Sequence, residues 1–340
     1  MVPQHCRKIP AGKQSPVNKL NPKYGFLSQI PFTNKLDTVL RTKLTRYFEQ
    51  KYLNGHTVIG RIITLINIQE EIHMVRYGFI AAGNIIRALL KGAERNPDFN
   101  TSEIGIYDIS EAVRNDYAAR GYVIYDNMKD LIIHSEMLVL GVTPRVVGLI
   151  IDELAANMRP EQLMLTVVTG VEQPWYAEHL GEGCKVVICM PNMSSQVGEG
   201  AFAVSRSASC TDEDVDKVCS ILRSCGIVEE IPDGMMAEIL PFNGSAPGFF
   251  YHISNLMVKE AEKLGFSGDT AIRLFAQTMK GSAEMILSSG TSLQDLETVL
   301  RLPGGATVTA LEKIESMGFD AIFEEFVRVS VAHCKELGKQ

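Results

Sequence analysis

Between residues 74 and 190 the chain alternates short, unbroken apolar runs with longer stretches whose apolar positions recur at helical spacing. The runs predict buried strands at Val75–Ile80, Ile104–Tyr107, Gly121–Tyr125, Met137–Val142, Leu163–Val168 and Lys185–Met190. A strand covered on both faces has no polar side to show, so unbroken apolar runs indicate a parallel sheet between helical layers. Helices are predicted from about Asn84, after Asp126-Asn127, and from Thr143-Pro144 to about Ala156. After roughly Asp233 the strand pattern stops. Helical periodicity then covers 233–241, 247–264, 268–288, 292–300, 308–317 and 319–337, with Ala271, Leu274, Phe275, Thr278 and Met279 on one stripe. Upstream, Leu36, Leu40, Leu44 and Phe48 predict an amphipathic helix within Leu36–Leu53, and residues 1 to about 30 read as a flexible tail.

The succession βαβ implies an α/β fold: a Rossmann-type, doubly wound parallel sheet over 74–232, followed by an all-helical domain over 233–340 and preceded by an extension over 1–73. Ligands of such sheets bind outside the carboxyl ends of the strands, which gathers Ala81–Asn84, Asp108, Gly141–Pro144, Thr169-Gly170 and Met190–Asn192 around one crevice. The organising stretch is MVRYGFIAAGNIIRALLKG, Met74 to Gly92. A strand, a small-residue corner and a helix leave the first helical amides unpaired, so the backbone of Ala81, Ala82, Gly83, Asn84 and Ile85 is a candidate cradle for a dinucleotide's diphosphate. Set against G-x-G-x-x-G/A, Ala81 stands at the first glycine and Ile86 at the last. Ile86 would push the helix off the strand or require repacking, and a plain βα unit is the alternative reading. Asp108 ends the second strand 25 residues beyond Gly83. It is placed either to grip a ribose 2′-hydroxyl, favouring NAD unless Arg114 or Ser110 admits a 2′-phosphate, or to cap the next helix.

Composition narrows the partners. The formal net charge of −7 argues against nucleic acid, and no apolar run reaches a membrane span. The cysteines form no C-x-x-C pair and complete no zinc set with histidine, so no metal site is expected and buried free thiols are. Arg7, Lys8, Lys13, Lys19, Lys23 and Lys35 precede the first acidic residue, but Pro3, Pro10, Pro16 and Pro22 break any amphipathic helix there. A cytoplasmic protein is therefore expected, with mitochondrial import as the lesser reading. The apolar stripe of the helical domain points to a homodimer or larger homo-oligomer.

Five segments in order resemble the pyrroline-5-carboxylate reductase family from about Val75 to the C-terminus: GFIAAGNIIRALLKG, MPNMSSQVGEG, FNGSAPGFFY, AQTMKGSAEMIL and LPGGATVTAL. The resemblance implies a reductase of proline biosynthesis, transferring hydride from NADPH or NADH to the C=N bond of a small cyclic imino acid. It places Asn127 near the adenosine, Gly141, Thr143 and Pro144 against the nicotinamide and Asn192 in the coenzyme crevice. It also assigns Asn243, Ser245, Gly304, Gly305 and Ala306 to the substrate and gives Thr307 a catalytic hydroxyl, in a segment where Thr309 and Glu312 are expected to form a capping box. Thr143 stands for the family's lysine, Leu302 for its serine, Asn243 and Ala246 for Ser and Gly of S-G-S-G, and Leu240 for threonine. These exchanges motivate a second expectation, a nucleotide-binding scaffold with weak or no catalysis.

Overall fold

A computed structural model describes residues 74–338. The expected extension over 1–73, with its amphipathic helix, lies outside the described residues. Eight strands form one sheet: β1 (Val75–Ile80), β2 (Ile104–Tyr107), β3 (Val123–Ile124), β4 (Ser135–Leu140), β5 (Leu163–Thr166), β6 (Lys185–Met190), β7 (Gly200–Arg206) and β8 (Gly226–Glu230). Their spatial order is β3-β2-β1-β4-β5-β6-β7-β8. The first six are parallel, which places the point where the winding reverses between β1 and β4.

The helices between strands are α1 (Asn84–Ala93), α2 (Glu111–Ala119), α3 (Met128–Ile133), α4 (Pro144–Asn157), α5 (Gln173–Leu180) and α6 (Asp212–Arg223). They cover both faces, so alternate residues of one strand enter opposite cores. Phe79, Val139, Leu165 and Val187 pack with α1 and α6, while Ile80, Leu138, Leu140 and Met164 pack with α3, α4 and α5. This double coverage is why the strands read as unbroken apolar runs.

Two strands depart from the sequence pattern. β7 and β8 were not separable as apolar runs, because β7 ends in Ser205 and Arg206 and β8 ends in Glu229-Glu230 at the sheet edge. β7 also runs antiparallel to β6, so the sheet is not wholly parallel. Among the described residues the cysteines behave as expected: Cys184, Cys189, Cys210, Cys219, Cys225 and Cys334 are free and buried. Burial pushes the Cys189 thiol well up and that of Cys225 up to about 11, so both stay protonated and act as small apolar fillers.

Past the sheet come α7 (Met236–Ile239), α8 (Ala246–Lys263), α9 (Gly268–Ser288), α10 (Leu293–Leu300), α11 (Ala306–Ser316) and α12 (Phe319–Leu337). Phe249 of α8 packs on Phe323 and Phe326 of α12. The end of α12 reaches back to the sheet. Lys335 pairs with Glu238 of α7, and the backbones of Gly338 and Gly170 approach so closely that a Cβ on either would collide with the other. Among the described residues no helix is long and apolar enough to cross a membrane.

Candidate functional site

The site is built by register. Ile80 is paired with Tyr107 on one side and Leu140 on the other, so the loops after β1, β2 and β4 leave the sheet at one level. Ala81 N–H donates to the Tyr107 carbonyl at 2.8 Å and Gly141 N–H to the Ile80 carbonyl at 2.9 Å, which ties the three loops together. Ala81, Ala82, Gly83, Asp108, Gly141 and Thr143 thus meet at the switch point.

The chain turns after β1 with Ala81 at φ 65°, a left-handed conformation costing a residue with a Cβ about 1–2 kcal/mol. Glycine would adopt it freely, which is why the pattern asks for one there. Gly83 is then the N-cap of α1, and no side chain caps the helix. The first helical bond is Arg87 N–H to the Gly83 carbonyl, so among the described residues the amides of Gly83, Asn84, Ile85 and Ile86 have no protein acceptor. The first turn carries no acidic side chain, and the space a Cβ of Gly83 would point into is open. Free amides, the positive helix end and an open approach are what an anionic diphosphate requires.

Ile86 does not fill this hollow. Its side chain is fully buried in the core between α1 and the sheet. Room for it comes from Gly141: a Cβ there would sit 2.4 Å from Ile86 Cγ1. The small residue expected at 86 is thus exchanged for a small residue at 141, across the switch point.

Asp108 is 8% exposed. Its Oδ2 accepts from Ala82 N–H at 2.9 Å and its Oδ1 from Ser110 N–H at 2.8 Å, while Arg114 Nη1 donates to its backbone carbonyl at 2.6 Å. Both expected uses of this position are therefore divided. Ser110 Oγ takes the helix cap, accepting from Val113 N–H at 3.4 Å, and the Asp108 carboxylate faces the turn after β1. Asn127 caps α3, with Oδ1 accepting from Asp130 N–H at 2.8 Å. Thr143 is the N-cap of α4 with Pro144 as the first helical residue, and its exposed side chain makes no cap bond.

Asn192 and Asn243 are locked to each other. Asn192 Nδ2 donates to the Asn243 carbonyl at 3.3 Å, and Asn243 Nδ2 donates to the Met190 carbonyl at 2.7 Å. Asn243 Oδ1 takes the Gly244 amide at 2.7 Å. Both residues are buried, so their side chains fasten the start of the helical segment to the end of β6. Nothing in the local sequence signalled this clamp, because its halves lie 51 residues apart. Ser245, the N-cap of α8, is half-buried and makes no side-chain cap bond. Leu240 packs with the sheet core, whereas Leu302 is exposed.

Gly304, Gly305, Ala306 and Thr307 form the start of α11. Gly304 has φ 76°, Gly305 is the N-cap and the first helical bond is Thr309 N–H to the Gly305 carbonyl. The helix begins four residues earlier than a Thr309 capping box requires, with Gly305 rather than Thr309 as N-cap. Thr309 Oγ1 instead donates back to the Gly305 carbonyl at 3.1 Å. Thr307 is exposed. Helix α11 packs on α12, which is its main neighbour in the chain. Among the described residues no group of His, Cys, Asp or Glu is placed to hold a metal ion.

Residues 234–337 match the family model described as pyrroline-5-carboxylate reductase dimerisation. The chain is 28% identical to the pyrroline-5-carboxylate reductase of Methanosarcina acetivorans over 78% of its own length and 98% of that protein. To the Escherichia coli enzyme of that name it is 26% identical, over 78% of this chain and 98% of the other. Among solved structures, the Plasmodium falciparum pyrroline carboxylate reductase with NADP bound superposes with a TM-score of 0.71 at 25% identity, covering 78% of this chain and 99% of that one. A Coxiella burnetii pyrroline-5-carboxylate reductase gives the same TM-score and identity over 79% and 100%.

Proposed function

We propose, on the premise that this chain belongs to the pyrroline-5-carboxylate reductase family, that it is an NAD(P)H-dependent reductase of the C=N bond in a small cyclic imino acid. The observation that carries this reading is the row of acceptor-free amides at Gly83–Ile86, opening at the switch point of the sheet. Residues Ala81–Ile85 would hold the diphosphate, with Asp108 and Asn127 flanking the adenosine end and Gly141, Thr143 and Pro144 bordering the nicotinamide end. When bound, the reduced nicotinamide supplies a hydride to the imine carbon while the ring nitrogen gains a proton.

The chain's own contribution is distance, orientation and exclusion of water. The amides at the start of α11 suit a substrate carboxylate, and the Thr307 hydroxyl is suited to the ring nitrogen or carboxylate. Asn243 acts through the clamp with Asn192, setting where Ser245 enters α8. The complete site is taken to draw on a second copy, because α11 packs on α12 and residues 234–337 match a family model described as a dimerisation region.

The test is binding and turnover together. Purified protein is titrated with NADH and NADPH by nicotinamide fluorescence, then assayed with Δ1-pyrroline-5-carboxylate for loss of the reduced coenzyme. Saturable binding and substrate-dependent oxidation are expected. No binding of either coenzyme at millimolar concentration overturns the reading.

A further inference from the structure

We infer that Asp108 is a positioning residue that clasps the diphosphate turn, rather than the group that selects NADH over NADPH. The inference rests on the dinucleotide reading above and adds to it what keeps the turn in shape. Ala81 occupies the left-handed region at φ 65°, which a residue with a Cβ leaves unless neighbouring bonds hold it. Two bonds do so. Ala81 N–H is held by the Tyr107 carbonyl and Ala82 N–H by Asp108 Oδ2 at 2.9 Å. The second is charge-assisted and buried, the stronger kind.

The same carboxylate is anchored from its other side by the Ser110 amide, and its backbone carbonyl by Arg114. A carboxylate gripping a ribose has to present an oxygen outward, whereas Asp108 is 8% exposed and turned into the corner. The clasp also has a reason to exist in this chain: where the pattern has glycine, no clasp is needed to reach a positive φ. Ala81 and Asp108 are therefore one device, and the amides of Gly83–Ile86 converge only while it is closed.

The experiment is a double-mutant cycle over Ala81→Gly and Asp108→Asn, read by Tm without coenzyme and by dissociation constants for NADH and NADPH. Asp108→Asn is expected to lower Tm by about 3 °C. It should weaken both coenzymes by about tenfold, leaving their ratio within about twofold of wild type. Adding Ala81→Gly, which reaches the same turn without the clasp, should recover most of both losses, and its gain in Tm and affinity should be larger in the Asp108→Asn background than in the wild type. A variant that loses NADH selectively, with Tm unchanged and no coupling to Ala81→Gly, overturns the inference and returns Asp108 to the ribose. Should the wild type bind neither coenzyme, the reductase reading fails, while the coenzyme-free Tm cycle still decides the clasp: strict additivity overturns it. Should Asp108→Asn alone not fold, recovery of folding by Ala81→Gly supports the clasp, and a double variant that also fails to fold overturns it.

Discussion

Ile86 shows how far a single position can be read. Its mismatch to the small residue of the dinucleotide pattern is plain in the sequence, but the Gly141 that accommodates it lies on another loop and becomes its neighbour only through the β1–β4 register. Asp214 shows the same limit for charge. It closes a capping box with Thr211 at the start of α6 and also receives the Lys185 ammonium at 2.8 Å. Burial pushes the Asp214 carboxyl up, but the Lys185 ammonium with the Thr211 amide and hydroxyl outweighs it and holds the group at about 2. A folded carboxyl held below its unfolded value of 3.8 stabilises the fold above that pH and loses the contribution as pH falls through the folded value. Asp214→Asn should therefore cost on the order of 2 kcal/mol at neutral pH. The gap between the variants should narrow below about pH 4 and mostly close near pH 2, as urea denaturation of both across that range will show.

Among elements, helix α1 depends on a contact that no local pattern announces. Gly92 lies against the short helical turn Met193–Val197, where a Cβ would fall 2.0 Å from the Ser195 carbonyl oxygen and 2.5 Å from Cys225 Cβ. The obstacle on one side is backbone, so the neighbour cannot swing away. Gly92→Ala is expected to destabilise by about 1–3 kcal/mol, although alanine is the better helix former, because the added methyl must displace the turn. Tilting α1 also moves its amino-terminal amides. Urea denaturation should thus show a lower midpoint with an unchanged slope, and coenzyme titration a weaker affinity. The strands β1, β2 and β6 were legible to the residue because they are buried on both faces, whereas β7 and β8 near the edge carry polar residues and lost the signal.

For the whole molecule, the helical segment remains unburied within one chain. Over α8 to α12 only Ser254 and Cys334 are buried, and Leu274, Met285, Ile286 and Leu287 of α9 are exposed. Of the stripe predicted from periodicity, Ala271, Leu274, Phe275 and Thr278, but not Met279, line an apolar groove between α8 and α9. So much apolar surface left outside the core marks an interface. Leu274→Asp is expected to shift the protein to monomer in sedimentation velocity. If the proposed site is shared between two copies, it should also lower turnover more than about tenfold with coenzyme affinity unchanged. Loss of turnover without dissociation would argue against a shared site.

The sequence alone determined the layered α/β core, the strand–corner–helix at Gly83 and the five helical stretches α8 to α12, because an apolar face, whether turned to the core or to an interface, imposes a period that each segment carries locally. Only the tertiary structure decided that Gly141 makes room for Ile86, that Asp108 faces the Ala82 amide, that Asn192 and Asn243 clamp each other, and that α11 packs on α12. Each of these is a meeting between residues distant along the chain. A periodicity records which side of an element is covered, but not what covers it.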